Sequence, residues 1–322
     1  MKKNLRNVLV LALGLTTTIA FSQMGAVNKT WIDNSNSEDR TGNSRTTVSA
    51  DWGGIHVSTD WSYALSGDAG VNMSVYEAYA STDVMGFGTL TMGQQDLSYG
   101  SGALISSNSF GTQRYTTQGL NFNLALAGLD ITAGMMDLNT NVSYVNASGS
   151  FAGADVNILM MSDDTDGANA KAHGYDLGYT MGDFAVSASM NSDWDGDEMT
   201  MYSGSYSGVS NLVATVSQTE YKGDFGMATS AWNTGYANGN LGGPGGLVAG
   251  DKNTSMGITY SLSGISLGYT RHSISNDAAG TERESTSLML GYSLNDNCDL
   301  GMYRWSNDGA EDVTWLTVTI TM

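Results

Sequence analysis

The last ten residues of the chain read Val313-Thr-Trp-Leu-Thr-Val-Thr-Ile-Thr-Met322, and from Leu316 onward they alternate between apolar and polar side chains. In an extended chain, Leu316, Val318 and Ile320 point to one side and the threonines between them point to the other. The alternation predicts a β-strand with one apolar and one polar face. A strand of a water-soluble β-sandwich would alternate in the same way, so this pattern leaves open which face meets water.

Extended runs of about ten residues recur along the whole chain, and no helical periodicity stands out. Clear runs occupy residues 46–52, 55–65, 73–84, 87–97, 120–127, 129–138, 154–161, 184–192, 212–221, 254–262, 265–274, 285–294, 300–305 and 313–322. Weaker runs occupy residues 25–32, 142–152, 175–181 and 199–209. We therefore predict an all-β fold of about 16 strands, or 18 if every weak run is counted.

The connections between these runs alternate in length, and this alternation favours a membrane protein. Short turns lie at residues 53–54, 85–86, 128, 182–183 and 263–264, and longer polar segments at 33–43, 99–113, 163–172, 193–198, 222–252 and 276–284. Short turns at one end and long loops at the other are typical of a transmembrane antiparallel β-barrel. We predict short periplasmic turns, long extracellular loops and, for an even strand number, both termini in the periplasm.

The composition supports this class and excludes others. The chain of 322 residues has 41 Gly, 1 Pro and 1 Cys, and only 14% of its residues are charged. It contains 13 Lys and Arg residues and 32 Asp and Glu residues, which gives a formal charge of −19. This charge excludes a nucleic-acid partner, because a protein that binds nucleic acid needs a basic surface. A single cysteine excludes a disulfide scaffold.

The N-terminus has the pattern of a secretory signal peptide. Lys2, Lys3 and Arg6 precede the apolar run at residues 8–15, and Ala20 and Ser22 have the small side chains of a cleavage site. We predict that residues 1–22 form the signal peptide and that residues 23–322 form one β-barrel domain. The apolar run is shorter than the ~20 residues of a membrane-spanning helix.

Residues 43–122 resemble the general, non-specific porins of Gram-negative outer membranes. The resemblance lies in Asn43-Ser-Arg-Thr-Thr-Val-Ser-Ala-Asp-Trp-Gly-Gly54, Tyr76-Glu-Ala-Tyr-Ala80, Phe87-Gly-Thr-Leu-Thr-Met-Gly-Gln-Gln-Asp96, and Arg114-Tyr115 followed by Gly119-Leu-Asn-Phe122. It implies a homotrimer and a loop at residues 99–113 that folds into the barrel. The chain differs from the family in having Gln94 in place of an arginine, no acid at residues 99–113, and Met322 in place of a terminal phenylalanine.

The resemblance also implies a pore constriction. Arg45 and Arg114 match positions where the family's basic side chains face the pore, Gln94 matches a family arginine, and Glu77 and Asp96 are the nearest acids in sequence. Cations opposite acids would orient polar solutes and set the ion preference. The alternative is that Arg45 and Arg114 only hold loops in place.

Four carboxylates lie close together in a predicted extracellular loop, at Asp193, Asp195, Asp197 and Glu198. Oxygen ligands at this density suit Ca²⁺, which could bridge the loop to lipopolysaccharide, whereas the alternative is a solvated acidic loop. Catalysis has little support, because Ser273 directly follows His272 and adjacent strand residues point to opposite faces. We predict no enzyme activity.

The sequence thus predicts an outer-membrane porin of a Gram-negative bacterium. Its function would be passive diffusion of small hydrophilic solutes and ions, with a weak preference for cations, in contact with outer-membrane lipid and lipopolysaccharide. Two alternatives stay open. One is a substrate-specific barrel channel, and the other is a structural or adhesive surface barrel whose lumen is blocked, for which residues 222–252 could supply a plug.

Overall fold

The computed structural model describes residues 23–35, 40–65, 70–107, 116–136, 141–164, 170–227, 247–308 and 312–322. They form 18 β-strands: β1 Gln23–Asp33, β2 Thr41–Trp52, β3 Ile55–Ala64, β4 Asn72–Asp83, β5 Thr89–Gln95, β6 Thr117–Leu126, β7 Leu129–Met136, β8 Val142–Phe151, β9 Ala154–Asp163, β10 Ala170–Met181, β11 Phe184–Ser192, β12 Glu198–Val209, β13 Leu212–Lys222, β14 Asp251–Leu262, β15 Ile265–Asn276, β16 Thr281–Asn295, β17 Cys298–Asn307 and β18 Val313–Thr321.

The strands form one closed antiparallel barrel. Each strand pairs with its neighbours in sequence, and β1 also pairs with β18, from Val27 opposite Thr321 to Asp33 opposite Trp315. Closure removes the free edges that an open sheet would expose, which is the condition for a sheet to span lipid. The described residues contain no helix long and apolar enough to cross a membrane.

The barrel has 18 strands, so the prediction of about 16 was too low and the higher count is correct. The four weak runs of the sequence are β1, β8, β10 and β12. Serine and glycine are frequent in β8 and β12, and these small residues carry a weak alternation signal. Pairing with the neighbouring strands, rather than local pattern, makes these segments strands.

The two ends of the barrel differ in the length of their connections, as the sequence predicted. At one end, two-residue turns join β2 to β3, β6 to β7, β8 to β9, β10 to β11, β12 to β13, β14 to β15 and β16 to β17. The longest connection at the other end runs from Lys222 to Asp251. The first and last strands meet at the short-turn end, where the amide of Met322 donates to the carbonyl of Ala26 (2.8 Å).

The outer wall is mostly apolar, apart from polar side chains on β1 and β2 such as Asn28 and Ser44, and the inner wall is mostly small and polar. On β14, Met256 is 63% exposed and Leu262 50% exposed on the outer face, whereas Asn253 and Ser255 lie on the opposite face, opposite inward residues of β13 and β15. In a water-soluble protein the apolar face would be the buried one, so this inversion fits a wall surrounded by lipid. On β18, Leu316, Val318 and Ile320 share the outer face with their partners on β1, as predicted.

The largest apolar cluster lies inside the barrel, against β7 to β13. Its wall residues are Met136, Tyr144, Leu159, Met161, Ala172, Met199 and Tyr221, and the remaining members come from two loops that fold inward. One of these loops connects β5 to β6. The cluster therefore fixes a loop within the lumen, and that loop is the centre of the candidate site.

Candidate pore constriction

Residues 96–107, which follow β5, cross the lumen and reach the wall formed by β8 to β11; we call them the inner loop. The hydroxyl of Tyr99 donates to that of Tyr144 on β8 (3.2 Å). Farther along, the hydroxyl oxygen of Ser101 accepts hydrogen bonds from Ser189 (3.0 Å) and from Nδ2 of Asn191 (3.4 Å), both on β11. The described part of the segment expected to fold into the barrel, residues 99–107, thus lies against the inner wall.

The tip of the inner loop requires a glycine. Gly100 has a φ of +56°, and a Cβ atom built on it would lie 1.8 Å from Oδ2 of Asp176 and 2.6 Å from Nδ2 of Asn157. Any other residue would be strained in the backbone and would collide with the far wall. The backbone of the loop therefore approaches β9 and β10 as closely as packing permits.

Apolar burial holds the loop more firmly than these polar contacts do. Ala103, Leu104 and Ile105 are each 1% exposed within the cluster on the inner wall. Complete burial of a leucine or isoleucine side chain contributes about 1.5–3 kcal/mol. Burial also raises the pKa of Tyr99 above its ordinary value of 10.0.

A second loop reinforces the same side of the lumen. Phe225 and Met227, which follow β13, are buried in the cluster, and Leu247 packs against it. These residues flank the segment predicted to be either a surface loop or an inward plug. The flanks fold inward, whereas residues 228–246 lie outside the described part of the chain.

At the base of the inner loop, the predicted acids Glu77 and Asp96 come together. A side-chain oxygen of Glu77 accepts from the amide of Asp96 (3.1 Å), and Tyr76 donates its hydroxyl to the Asp96 carboxylate. His56 joins this group, with its Nε2 3.4 Å from Glu77 and its Nδ1 2.7 Å from Asp51. Tyr76 and His56 were not predicted to belong here, because their proximity depends on cross-strand register.

A β-bulge explains how Tyr76 and Glu77 reach the same site. On β4 the register shifts so that Ser58 pairs with Glu77 while Thr59 pairs with Val75. Two residues of β4 therefore stand against one step of β3, which breaks the simple alternation of faces. The sequence gives no clear signal for the position of this bulge, so the meeting of Tyr76 and Glu77 at one site could not be predicted from it.

Gln94 does not face the pore, so its assignment to the constriction was wrong. It pairs with Ala78 and Gln118, and it shares the outer face with Met92, which is 54% exposed. Its Nε2 donates to the carbonyl oxygens of Val75 (3.1 Å) and Tyr76 (2.8 Å). The side chain is used to satisfy backbone acceptors at the bulge.

Arg45 faces the inside of the barrel but is only 2% exposed. Its Nε lies 3.9 Å from Oδ2 of Asp60, and Thr47 donates to the other oxygen of that carboxylate (2.7 Å). This burial favours the alternative that Arg45 holds the wall together instead of lining open water. Arg114, its predicted companion, lies outside the described residues.

The carboxylates of the predicted calcium ligands are engaged by amides of their own turn and by groups of the segment at residues 222–226. Oδ1 of Asp193 accepts from the amides of Asp195 (3.1 Å) and Asp197 (3.0 Å), and its Oδ2 accepts from the amide of Gly226 (2.9 Å). Glu198 pairs with Lys222 (3.2 Å). Among the described residues, no three His, Cys, Asp or Glu side chains are placed to hold a metal ion. Calcium binding here stays a prediction.

Carboxylates outnumber basic groups on the inner face of the described strands. Of the Lys and Arg residues on the described strands, the cross-strand pairing assigns only Lys29, Arg45 and Arg283 to this face, against Asp33, Asp51, Asp60, Glu77, Asp83, Asp130, Asp155, Asp163, Asp176, Asp251 and Asp299. Arg283 is paired with Asp251 (2.6 Å). The described inner wall therefore carries a net negative charge.

His272 also lies on the inner face, and it contacts a serine that the sequence did not indicate. Its Nδ1 is 2.7 Å from the hydroxyl oxygen of Ser255 on β14. Ser273, its neighbour in sequence, pairs with Glu284 in β16 and lies on the outer face. The register therefore confirms that His272 and Ser273 point to opposite faces.

Comparison with known proteins identifies the fold. No family model and no curated protein matches the sequence. Among solved structures, the barrel is similar to Pseudomonas aeruginosa OccK1 (OpdK), with a TM-score of 0.70 and 13% identity over 93% of this chain and 98% of that one. Acinetobacter baumannii OccAB2 gives 0.70 and 13% over 93% and 97%, and P. aeruginosa OpdQ gives 0.67 and 12% over 93% and 97%.

These structures are outer-membrane porins of the Occ and Opd type. The chain therefore has the porin fold that the resemblance implied, in the 18-stranded form. The solved structures are not of the general, non-specific type that the sequence resemblance suggested. At these identities the likeness concerns the fold, and the activity has to be argued from the chain's own residues.

Proposed function

We propose that this protein forms a water-filled channel in the outer membrane of a Gram-negative bacterium and admits small polar solutes selectively. The observation that carries the proposal is the inner loop, which crosses the lumen and is fixed to the far wall at Ser101. A barrel with an apolar outer wall suits lipid, and a polar inner wall suits water. A loop held inside the barrel narrows the passage, which gives selection by size and by charge.

The orientation follows from the two ends of the barrel. Long connections suit the extracellular side and short turns the periplasmic side. Residues 1–22, with their signal-peptide pattern, provide the route out of the cytoplasm. A homotrimer and contacts with lipopolysaccharide, which the sequence resemblance implies, remain parts of this proposal.

The charge of the lumen supports a preference for cations. Acids outnumber bases on the described inner face, and the buried Arg45 and the paired Arg283 present little free positive charge to the passage. A cleft with one sign of charge and low-dielectric walls concentrates ions of the opposite sign. The preference should fade with salt, because the Debye length falls from about 10 Å at 0.1 M to about 3 Å at 1 M.

A selective channel is favoured over non-specific diffusion. The apolar cluster and the two inward loops occupy the β7 to β13 side of the lumen, which leaves less room than an unobstructed barrel of this size. One of the similar structures is OpdK with vanillate, so a barrel of this fold has been observed with a small solute. Passive diffusion without selection is the alternative.

The experiment is a planar-bilayer recording of the refolded protein across a KCl gradient. We expect discrete conductance steps and a reversal potential whose sign indicates a preference for cations. The magnitude of this potential should fall as the salt concentration rises. Solute-dependent block would support selection, and its complete absence for every solute tested would support passive diffusion. Folded protein without conductance would contradict the channel and favour the blocked structural barrel.

A further inference from the structure

We propose that the cavity beneath the tip of the inner loop is a subsite for small organic diamines, with Asp155 and Asp176 as its charge partners. The proposal rests on the channel function proposed above and names a solute class for it. The cavity has a volume of about 430 Å³, within the roughly 300–1,000 Å³ of small-molecule sites. Its lining includes Ser101, Ser150, Ser187, Ser189 and the two aspartates.

Asp176 is the first reason for a cationic ligand. Oδ2 of this residue accepts from Nδ2 of Asn157 (3.3 Å). Oδ1 is shielded from solvent and receives no hydrogen bond from any residue that the structure describes. The charge of a carboxylate is shared by its two oxygens, so an ammonium group on the cavity side of Asp176 would offset part of the cost of the oxygen that has no donor.

The absence of basic groups is the second reason. The described lining of the cavity contains two carboxylates but no Lys, Arg or His. A solute with its own carboxylate, such as an amino acid, would find no counter-charge here. A solute with ammonium groups alone matches the charge of the site.

The spacing of the two aspartates points to a diamine. Asp176 on β10 stands opposite Asn157 on β9, and Asp155 lies two positions along β9 on the same face. Such diagonal neighbours lie about 7–8 Å apart, a separation that the two ammonium groups of a four-carbon diamine can span. Met201 in the lining supplies an apolar surface for the methylene groups.

The inner loop completes the site from above. Gly100 lies against the Asp176 carboxylate and the neighbouring hydroxyl of Ser101 is held by Ser189. The hydroxyl groups of the lining can accept hydrogen bonds from ammonium protons that the carboxylates do not use. A diamine bound here would sit at the narrowed part of the lumen and obstruct the ion current.

The test is block of the KCl current through single channels by 1,4-diaminobutane, with 1,4-butanediol as the uncharged analogue. We expect the diamine to block and the diol not to. Asp176→Asn and Asp155→Asn should each weaken the apparent affinity about tenfold, the loss expected for one charge-assisted contact. Asp299→Asn, which removes the same charge from the opposite wall, should leave the affinity within about twofold.

Several results would overturn the subsite. These are equal block by the diol, unchanged affinity in both Asp155→Asn and Asp176→Asn, or block by lysine as tight as that by the diamine. Because each variant's open-channel current reports its folding, loss of block is distinguishable from loss of protein. A wild-type protein that conducts but ignores the diamine contradicts the subsite alone, whereas a folded protein that never conducts contradicts the channel itself.

Discussion

The hydroxyl of Ser101 accepts a hydrogen bond from that of Ser189 at 3.0 Å, although the two residues are 88 positions apart in sequence. This contact joins a loop that leaves the barrel wall at β5 to the opposite wall at β11. Without such contacts, nothing would hold the loop inside the lumen. Buried apolar side chains hold the loop in the same position as this contact does. Substitutions that weaken the apolar packing or displace the loop tip therefore test what the loop does in the pore.

The apolar anchor is the first component to test. Leu104→Ala should weaken the packing of the inner loop by about 2–5 kcal/mol, the usual loss for a buried leucine. We expect a larger or noisier single-channel conductance, because the loop would leave its position more often. Leu126→Ala, on the outer face where Leu126 is 59% exposed, is the matched control and should leave the conductance unchanged. An identical conductance in both variants would mean that the loop does not narrow the pore.

The loop tip gives a second prediction. Gly100→Val should displace the loop, because its Cβ would overlap the Asp176 carboxylate and β-branched residues are disfavoured at positive φ. Conductance should increase and the preference for cations should change. Gly182→Val, in a turn with open space around it and a φ of +60°, tests backbone strain without a wall contact. If both variants altered the pore equally, strain rather than the wall contact would be responsible.

High pH should loosen the loop in a predictable direction. Burial raises the pKa of Tyr99 above its ordinary value of 10.0, so the fold favours the neutral phenol. This stabilisation is complete below the ordinary pKa and is lost as pH rises through the raised value. We therefore expect conductance to rise above about pH 10 in wild type. Tyr99→Phe should show a smaller rise, and an unchanged pH profile would contradict a role for this residue.

Because Gln94 lies on the outer face, a charge placed there should not change the ion preference of the channel. Gln94→Arg places a charge where a porin of the general type would have one, yet here the side chain lies on the outer face. We expect the reversal potential across a KCl gradient to stay unchanged. Glu77→Gln, on the inner side of the same region, should reduce the preference for cations. A shift toward anions in Gln94→Arg alone would reverse this assignment.

The register of the last strand gives a stability test. Val318 faces lipid and its neighbour Thr319 faces the lumen. A lysine on the lipid face near mid-membrane costs roughly 2–4 kcal/mol, so Val318→Lys should lower the stability measured by urea unfolding in lipid vesicles. Thr319→Lys should change it by less than about 1 kcal/mol. Equal losses in both variants would show that the strand is shifted by one residue.

The sequence predicted much of the barrel because period-two alternation is a local property. β18 alternates regularly from Leu316 onward, so the residues on each of its two faces follow there from their order in the chain. The ends of the barrel were also predictable, since loop length is read directly from the spacing of the runs. The strand number was less secure, because small side chains in β8 and β12 carry little contrast.

The candidate site was predicted only in part, for reasons of geometry. Glu77 and Asp96 were named, but the contact of Tyr76 and His56 with them depends on a bulge that shifts the register of β4. Gln94 was misplaced because a resemblance of sequence does not fix which face of a strand a residue occupies. The cavity at Asp155 and Asp176 is lined by a loop and by strands that are distant from it in sequence. No local sequence pattern predicts that these segments come together.

The one-sided apolar cluster also has a mechanical consequence. Strands β7 to β13 are braced from within by two folded loops, whereas the described residues place no comparable apolar cluster against β14 to β18 and β1. The barrel therefore has a stiff side and a compliant side. When the surrounding bilayer thins or bends, the compliant wall will absorb the deformation, and the half that carries the inner loop will keep its shape.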